Sequence, residues 1–286
     1  MRFLRYGESG TERPAAMHGG EVFAVDSITT DIDSAFLSGG GIRAVRTALE
    51  SGSLPRIDLT GTRIGPPFTR PGAILCIGTN YAAHAVESGV SPPEVPVLFL
   101  KTPNTIGGPN DVVQIPPGSV KTDWEVELGV VIGQRALYLD SPEHSMDHVA
   151  GFVAADDVSE RDFQLEQSGG QWSKGKCAPG FTPLGPWLVT PDEFDHRSAR
   201  LRSWVNGEPR QDSLTSDMIF DVSHIVWHLS QYLALEPGDL ILTGTPEGVA
   251  LSGRFPYLSD GDTVEIEIEG LGRLAHQFHA IEQGGR

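Results

Sequence analysis

From about residue 71 onward, short apolar runs alternate with Gly/Pro turns: "AILCIG", "VPVLFLK", "VELGVVIG", "VAGFVAAD", "PWLVT", "LILTG" and "TVEIEIEG". Runs of this length, bounded by turn residues and rich in branched side chains, predict strands. One helix is predicted over 216–235, where Ile219, Val222, Val226, Leu229 and Leu233 recur at helical spacing. Ser216 would cap its start, and "EPGD" would stop it. Residues 1–68 differ, with a short "EVFAV" strand, a helical "GIRAVRTALESG" and a Pro/Gly-rich "LPRIDLTGTRIGPPFTRPG" linker or docked loop. The pattern predicts a mixed α/β, mainly β fold, with a small N-terminal α+β domain over 1–68 and a main domain over 69–286. Repeats, low-complexity tracts and heptads are absent.

One predicted strand breaks the usual polarity. In "KTDWEVELGVVIG", Lys121 to Gly133, Glu125 and Glu127 share a face while Trp124, Val126 and Leu128 take the other. "TVEIEIEG" alternates in the same way, with Glu265, Glu267 and Glu269 against Val264, Ile266 and Ile268, and reads as a strand with one wet face. The first strand continues as Leu128-Gly129-Val130-Val131-Ile132, a run suited to burial on both faces. Carboxylates entering such a place need compensation, and few basic residues lie nearby in the sequence to pair them. Two readings stand: a solvated face, or a hard divalent cation such as Mg²⁺, Mn²⁺ or Ca²⁺ on oxygen ligands.

The formal net charge of −17, from 21 Lys+Arg against 38 Asp+Glu, argues against nucleic acid or an anionic membrane as partner. "MRFLRYGESG" does not resemble a signal peptide, and no apolar run approaches a membrane span, so a cytoplasmic location is expected. Cys76 and Cys177 lack metal-type spacing, which argues against a disulfide framework or a zinc site. Two motifs are decoys. "GGGIRA" (Gly39 to Ala44) mimics a dinucleotide fingerprint with no strand leading into it, and "GQWSKGKC" (Gly170 to Cys177) mimics a phosphate loop with Cys177 in place of the hydroxyl and a Pro-rich stretch in place of the helix.

Two further stretches carry candidate chemistry. "VAGFVAADDVSERDFQ" ends an apolar run in Asp156 and Asp157 before a polar segment expected to be helical, where an Asp could serve as cap or ligand. In "NYAAHAVESG", His84 and Glu87 stand at i, i+3, within hydrogen-bonding reach on one helical turn.

Taken in order, "ILCIGTNYAAHAVESG", "PVLFLKTPNTIGGPNDVV", "DWEVELGVVIG", "GFVAADDVSERDFQ", "PLGPWLVT" and "GDLILTGTPEGV" resemble the fumarylacetoacetate hydrolase family over about residues 71–275. The resemblance implies a β-roll main domain, often a homodimer, with Glu125, Glu127 and Asp157 as ligands of Mg²⁺ or Mn²⁺; Asp156 lies where many relatives have Asn. It implies hydrolysis of a C–C bond in a 2,4-diketo acid, with His84 as general base oriented by Glu87; the segment carrying this pair is flanked by Asn80, Gly89 and "SPPEVP", which would suit a lid. Lys101, Lys176, Gln171 and Thr245 fall at positions associated with the site, Lys176 as a catalytic lysine and the other three as substrate contacts. An acylpyruvate or a diketo-deoxy sugar acid would be the substrate, with "DVSERDFQ…GGQWSKGK" tilting toward the sugar acid. An oxaloacetate decarboxylase or keto-enol isomerase on the same scaffold is the alternative. One departure stands out: Pro179 replaces an aspartate common in relatives, at a place expected to shape the distal pocket.

Overall fold

A computed structural model of the chain describes residues 1–69 and 71–281; Arg70, in the expected linker, and residues 282–286 lie outside the described residues. Two large sheets and a two-stranded ribbon build the molecule. The larger runs from N-terminal hairpin strands through Arg2–Tyr6, Thr182–Val189, Val149–Asp156, Val126–Ile132, Leu240–Leu242 and Ile74–Gly78 to an edge at Val97–Lys101. The smaller orders Glu208–Leu214, Arg200–Val205, Thr263–Ile268, Gly272–Ala280 and Val113–Ile115. Pairing is mostly antiparallel, but Leu240–Leu242 runs parallel to Ile74–Gly78. The mixed, mainly β architecture matches the expectation, and every apolar run quoted above contributes a strand.

The segment 1–68 extends the larger sheet: Arg2 stands opposite Val189 and Phe3 opposite Leu188. Its Phe3, Val25, Phe36 and Val45 fall in one buried cluster with Val131, Leu184 and Leu240. The opposite face of the sheet forms a second cluster, in which Val126, Leu128, Val130 and Ile132 pack with Leu201, Val264, Ile266 and Phe278 of the smaller sheet. The Val126–Ile132 strand is thus covered on both sides, as its apolar run predicts.

Three elements differ from the sequence expectation. The helix starts later, spanning Val222–Ser230, with Asp221 as N-cap accepting from the His224 N–H. The stretch before it is tied elsewhere: Asp217 takes the Leu214 N–H, and the Ile219 and Phe220 N–H groups go to the Asn80 carbonyl and side-chain oxygens at 2.7 and 2.8 Å. Local side-chain and long-range acceptors outcompeted the helical pattern there. The expected single strand from Lys121 splits into Thr122–Asp123, paired with Ser159–Glu160, and Val126–Ile132, with Trp124 and Glu125 at the break. The polar segment after Asp157 forms that short strand and one wide helical turn over Asp162–Glu166 instead of a regular helix. Among the described residues no helix is long and apolar enough to cross a membrane.

Candidate active site

The two acidic stretches lie on neighbouring antiparallel strands, with Val126 opposite Asp156 and Glu127 opposite Ala155. Two bonds lock the ends together, from the Glu125 N–H to Asp156 Oδ1 at 2.8 Å and from the Asp157 N–H to the Glu125 carbonyl at 3.0 Å. Asp156 therefore caps a strand break, not a helix. Its other oxygen lies 2.8 Å from Nε2 of His276, and both side chains are fully buried. The register brings Glu125, Glu127 and Asp157 together, each offering an oxygen within 4.8 Å of the others. All three are buried, so the solvated reading of Glu125 and Glu127 falls.

The sequence offered few basic residues near these carboxylates; the fold delivers three from elsewhere. Lys176 Nζ donates to Glu125 Oε2 at 2.8 Å and Asp157 Oδ2 at 2.7 Å. Lys101 Nζ donates to Asp157 Oδ1 and to the Phe181 and Val158 carbonyls. Arg161 pairs through Nη2 with Glu125 at 2.6 Å and donates through Nε to Asp123 Oδ2 at 2.8 Å. Burial works against the charge on Glu125, but the Lys176 and Arg161 cations prevail and hold its carboxyl well below the usual range. Glu127 goes the other way: burial, then the Asp157 and Glu125 charges, push it well above that range. For Lys176 burial is outweighed by Asp157 and Glu125, and the ammonium is retained. A buried set of three carboxylates with no histidine or thiol among them is the donor chemistry of a hard divalent ion, so the residues fit Mg²⁺ or Mn²⁺.

Glu127 is aimed by a glycine. The Gly244 N–H donates to its Oε2 at 2.7 Å, and Gly244 sits at φ +96°, where a Cβ would come within 2.7 Å of Asn80 and 2.9 Å of the Ile77 carbonyl. Only glycine fits that approach. Next to it, the Thr245 hydroxyl donates to the Val126 carbonyl at 2.9 Å and accepts from Gln211 Nε2 at 2.8 Å. With its hydroxyl engaged, Thr245 would meet a substrate through its main chain.

A cavity of ≈ 340 Å³ opens over the carboxylates, lined among others by His84, Glu125, Glu127, Arg161, Lys176 and Thr245. His84 lies on the Ala82–Glu87 helix with Nδ1 3.1 Å from Glu87 Oε1. Glu87 also accepts the Gly248 N–H at 2.9 Å and pairs with Arg254 at 3.0 Å. A carboxylate at Nδ1 selects the Nδ1–H tautomer and leaves Nε2 as the basic nitrogen. Val90, Ser91 and Pro93 of the expected lid line the cavity, while Asn80 is a buried anchor that bonds the Phe220 and Thr243 carbonyls.

The sequence-predicted residues separate into three groups. His84, Glu125, Glu127, Lys176 and Thr245 line the cavity; Glu87, Asp157 and Lys101 stand directly behind lining groups. Gln171 is exposed and outside the lining, and Pro179 is likewise exposed and outside it. Arg161 and Gln164 were missed. They stand four and seven residues after Asp157 in the quoted "DVSERDFQ" block, and Arg161 Nη1 donates to Gln164 Oε1 at 3.0 Å in the cavity wall. The decoys resolve as well: Gly41 opens a helix that follows another helix, and the lysine of the false phosphate loop serves the acidic cluster.

A mainly β fold with a buried carboxylate cluster beneath a histidine-bearing cavity is the arrangement to compare with known proteins. Residues 73–279 match the family described as fumarylacetoacetate (FAA) hydrolase C-terminal, and the chain belongs to that family. It is 44% identical over 277 residues to a protein of Burkholderia multivorans named only as a hydrolase, covering 95% of this chain and 96% of that one. It resembles 5-carboxymethyl-2-hydroxymuconate delta-isomerase from Mycobacterium smegmatis with a TM-score of 0.78 and 32% identity, over 99% of this chain and 100% of that one. Maleylpyruvate hydrolase from Sphingobium sp. SYK-6, crystallised with manganese (II) and pyruvate, matches with a TM-score of 0.80 and 28% identity, over 98% of this chain and 99% of that one.

Proposed function

We propose that this protein is a divalent-metal-dependent hydrolase that cleaves the C3–C4 bond of a 2,4-diketo acid, releasing pyruvate and a carboxylic acid. The observation that carries the reading is one cavity lined both by Glu125 and Glu127 of the three-carboxylate cluster and by His84, whose partner Glu87 stands behind it. Manganese and pyruvate bound to the Sphingobium enzyme support it.

Glu125, Glu127 and Asp157 would hold Mg²⁺ or Mn²⁺, which supplies Lewis-acid stabilisation of negative charge at the keto-acid end of the substrate. His84 Nε2 takes a proton from water, whose oxygen attacks the C4 carbonyl. Glu87 stabilises the resulting imidazolium. Addition of the water oxygen to C4 moves the C4=O π pair onto oxygen; collapse re-forms the carbonyl of the carboxylic acid and breaks C3–C4, whose electron pair passes into the three-carbon fragment as an enolate, and the His84 imidazolium returns its proton to C3 to complete pyruvate. Arg161 and Lys176, both at the acidic floor, orient the carboxylate end. The tie from Lys101 Nζ to Asp157 and two carbonyls makes it a positioning residue for the cluster. A homodimer is part of the same proposal, carried by the family resemblance and read by light scattering in solution.

The similarity to an isomerase favours a second reading, keto-enol or double-bond isomerisation at the same metal site, which needs no attacking water. Product analysis separates the two. Stoichiometric pyruvate from an acylpyruvate with Mn²⁺ supports hydrolysis; an isomerised product of unchanged mass, with no pyruvate, rejects it.

A further inference from the structure

Much of the cavity lining is hydrocarbon, from Ile77, Val90, Val97, Phe99, Leu165 and Trp172, with the polar side chains of Thr79, Ser88, Ser91 and Gln164 among them. Trp172 is fixed there. Its ring meets Phe99 edge-on at 5.6 Å, and it lies so close to Gly78 that a Cβ at that position would come within 2.5 Å of the indole. The wall also reaches the mouth, where Val90 and Leu165 are 50% and 46% exposed.

The lining cations are already partnered. Arg161 is shared among Asp123, Glu125 and Gln164, and Lys176 bridges Glu125 and Asp157 with its ammonium 5.1 Å from the Phe99 ring centroid. Both touch the acidic cluster, so both serve the pyruvate end of a substrate. A second carboxylate would lose its water among side chains that are mostly carbon, where both cations are already engaged, and a polyhydroxylated chain would find few polar groups for its hydroxyls.

We infer that the acyl end of the substrate is neutral and apolar, an alkyl or aryl group of modest size, and not a carboxylate-bearing or sugar-like chain. This rests on the hydrolase reading above and names its substrate class. It departs from the sugar-acid tilt of the sequence: of the polar residues in "DVSERDFQ", Arg161 and Gln164 reach the cavity, and they already bond each other. The volume, ≈ 340 Å³, lies toward the small end of the range for ligand sites and holds a pyruvate unit with a medium acyl group.

The test compares acetylpyruvate, hexanoylpyruvate, benzoylpyruvate and adipoylpyruvate, the last matching the hexanoyl probe with a terminal carboxylate. With the Mn²⁺-loaded enzyme, kcat/KM for the hexanoyl and benzoyl compounds should exceed that for adipoylpyruvate by at least about 10-fold, the scale of pocket discrimination. Leu165→Arg, at the half-exposed rim, should narrow that ratio while Mn²⁺ affinity stays unchanged. Titrating the same compounds calorimetrically into Mn²⁺-loaded His84→Ala ranks binding without turnover. Adipoylpyruvate binding as tightly as hexanoylpyruvate overturns the inference. If the wild type cleaves none of the four while the binding order holds, the hydrolase reading fails and the apolar-end assignment stands.

Discussion

Glu125 and Glu127 stand two residues apart at the start of one strand, and Glu265 and Glu267 stand two apart within another, yet their surroundings have almost nothing in common. The second pair faces outward, 25% and 26% exposed, and meets Arg273 and Arg202, whose guanidinium groups flank the Trp204 ring at 4.6 and 5.3 Å. Water and partly exposed arginines carry the charge there. Glu125 is 5% exposed; its partners Lys176 and Arg161 are themselves buried, and Asp157 is wholly enclosed. Alternation of carboxylates along a strand therefore reports only a shared face. What decides between surface and site is the layer behind it: the smaller sheet leaves Glu265 and Glu267 open, whereas Glu125 and Glu127 open onto a walled cavity.

The comparison is broken most severely by removing Asp157. Asp157→Ala should abolish Mn²⁺ binding by calorimetry and reduce turnover to background. It also leaves two buried lysines without their shared partner, so thermal unfolding should register a loss of roughly 3–5 kcal/mol. Chelation with EDTA should remove activity without that loss. His84→Ala comes next: hydrolysis should fall by about 10² to 10⁴ while Mn²⁺ affinity is kept, because the base is separate from the ligands. An equal loss of metal binding would show that His84 belongs to the cluster.

Lys101→Met sharpens the picture. If Lys101 orients Asp157, Mn²⁺ affinity should drop by about 10- to 100-fold with little change in KM at saturating metal. A rise in KM alone would return Lys101 to the substrate. At the small end, Glu265→Ala should stay within about 0.5 kcal/mol of the parent in a melt and leave activity untouched, as surface substitutions do.

Much of this was legible in the chain. Strand positions followed from apolar runs between Gly/Pro turns, and the acidic trio followed from the resemblance of six ordered blocks. The helix was overextended because the competing acceptors, Asn80 above all, lie about 140 residues away and leave no local trace. Lys101 and Lys176 were marked as site residues by the resemblance, but their pairing with the carboxylates left no local trace, because Lys101 reaches Asp157 across 56 positions and Lys176 reaches Glu125 across 51. Gln171 looked like a pocket residue because its neighbours are; its exposure depends on a turn whose direction spacing does not encode. Arg161 was within reach, since an arginine four residues past a candidate ligand is a natural counter-charge.

Behind the site, the pairing of Asp156 with His276 bears on how this sequence can change over generations. The imidazole Nδ1 is buried without a partner, which is tolerable while Nε2 carries the proton toward the carboxylate and Nδ1 is only an idle acceptor. Asparagine at 156 could still receive the Glu125 N–H, but its amide would present hydrogens to Nε2 and drive the proton onto Nδ1, stranding a donor in the core. Aspartate to asparagine here thus costs a buried hydrogen bond unless position 276, on a strand 120 residues away, changes as well.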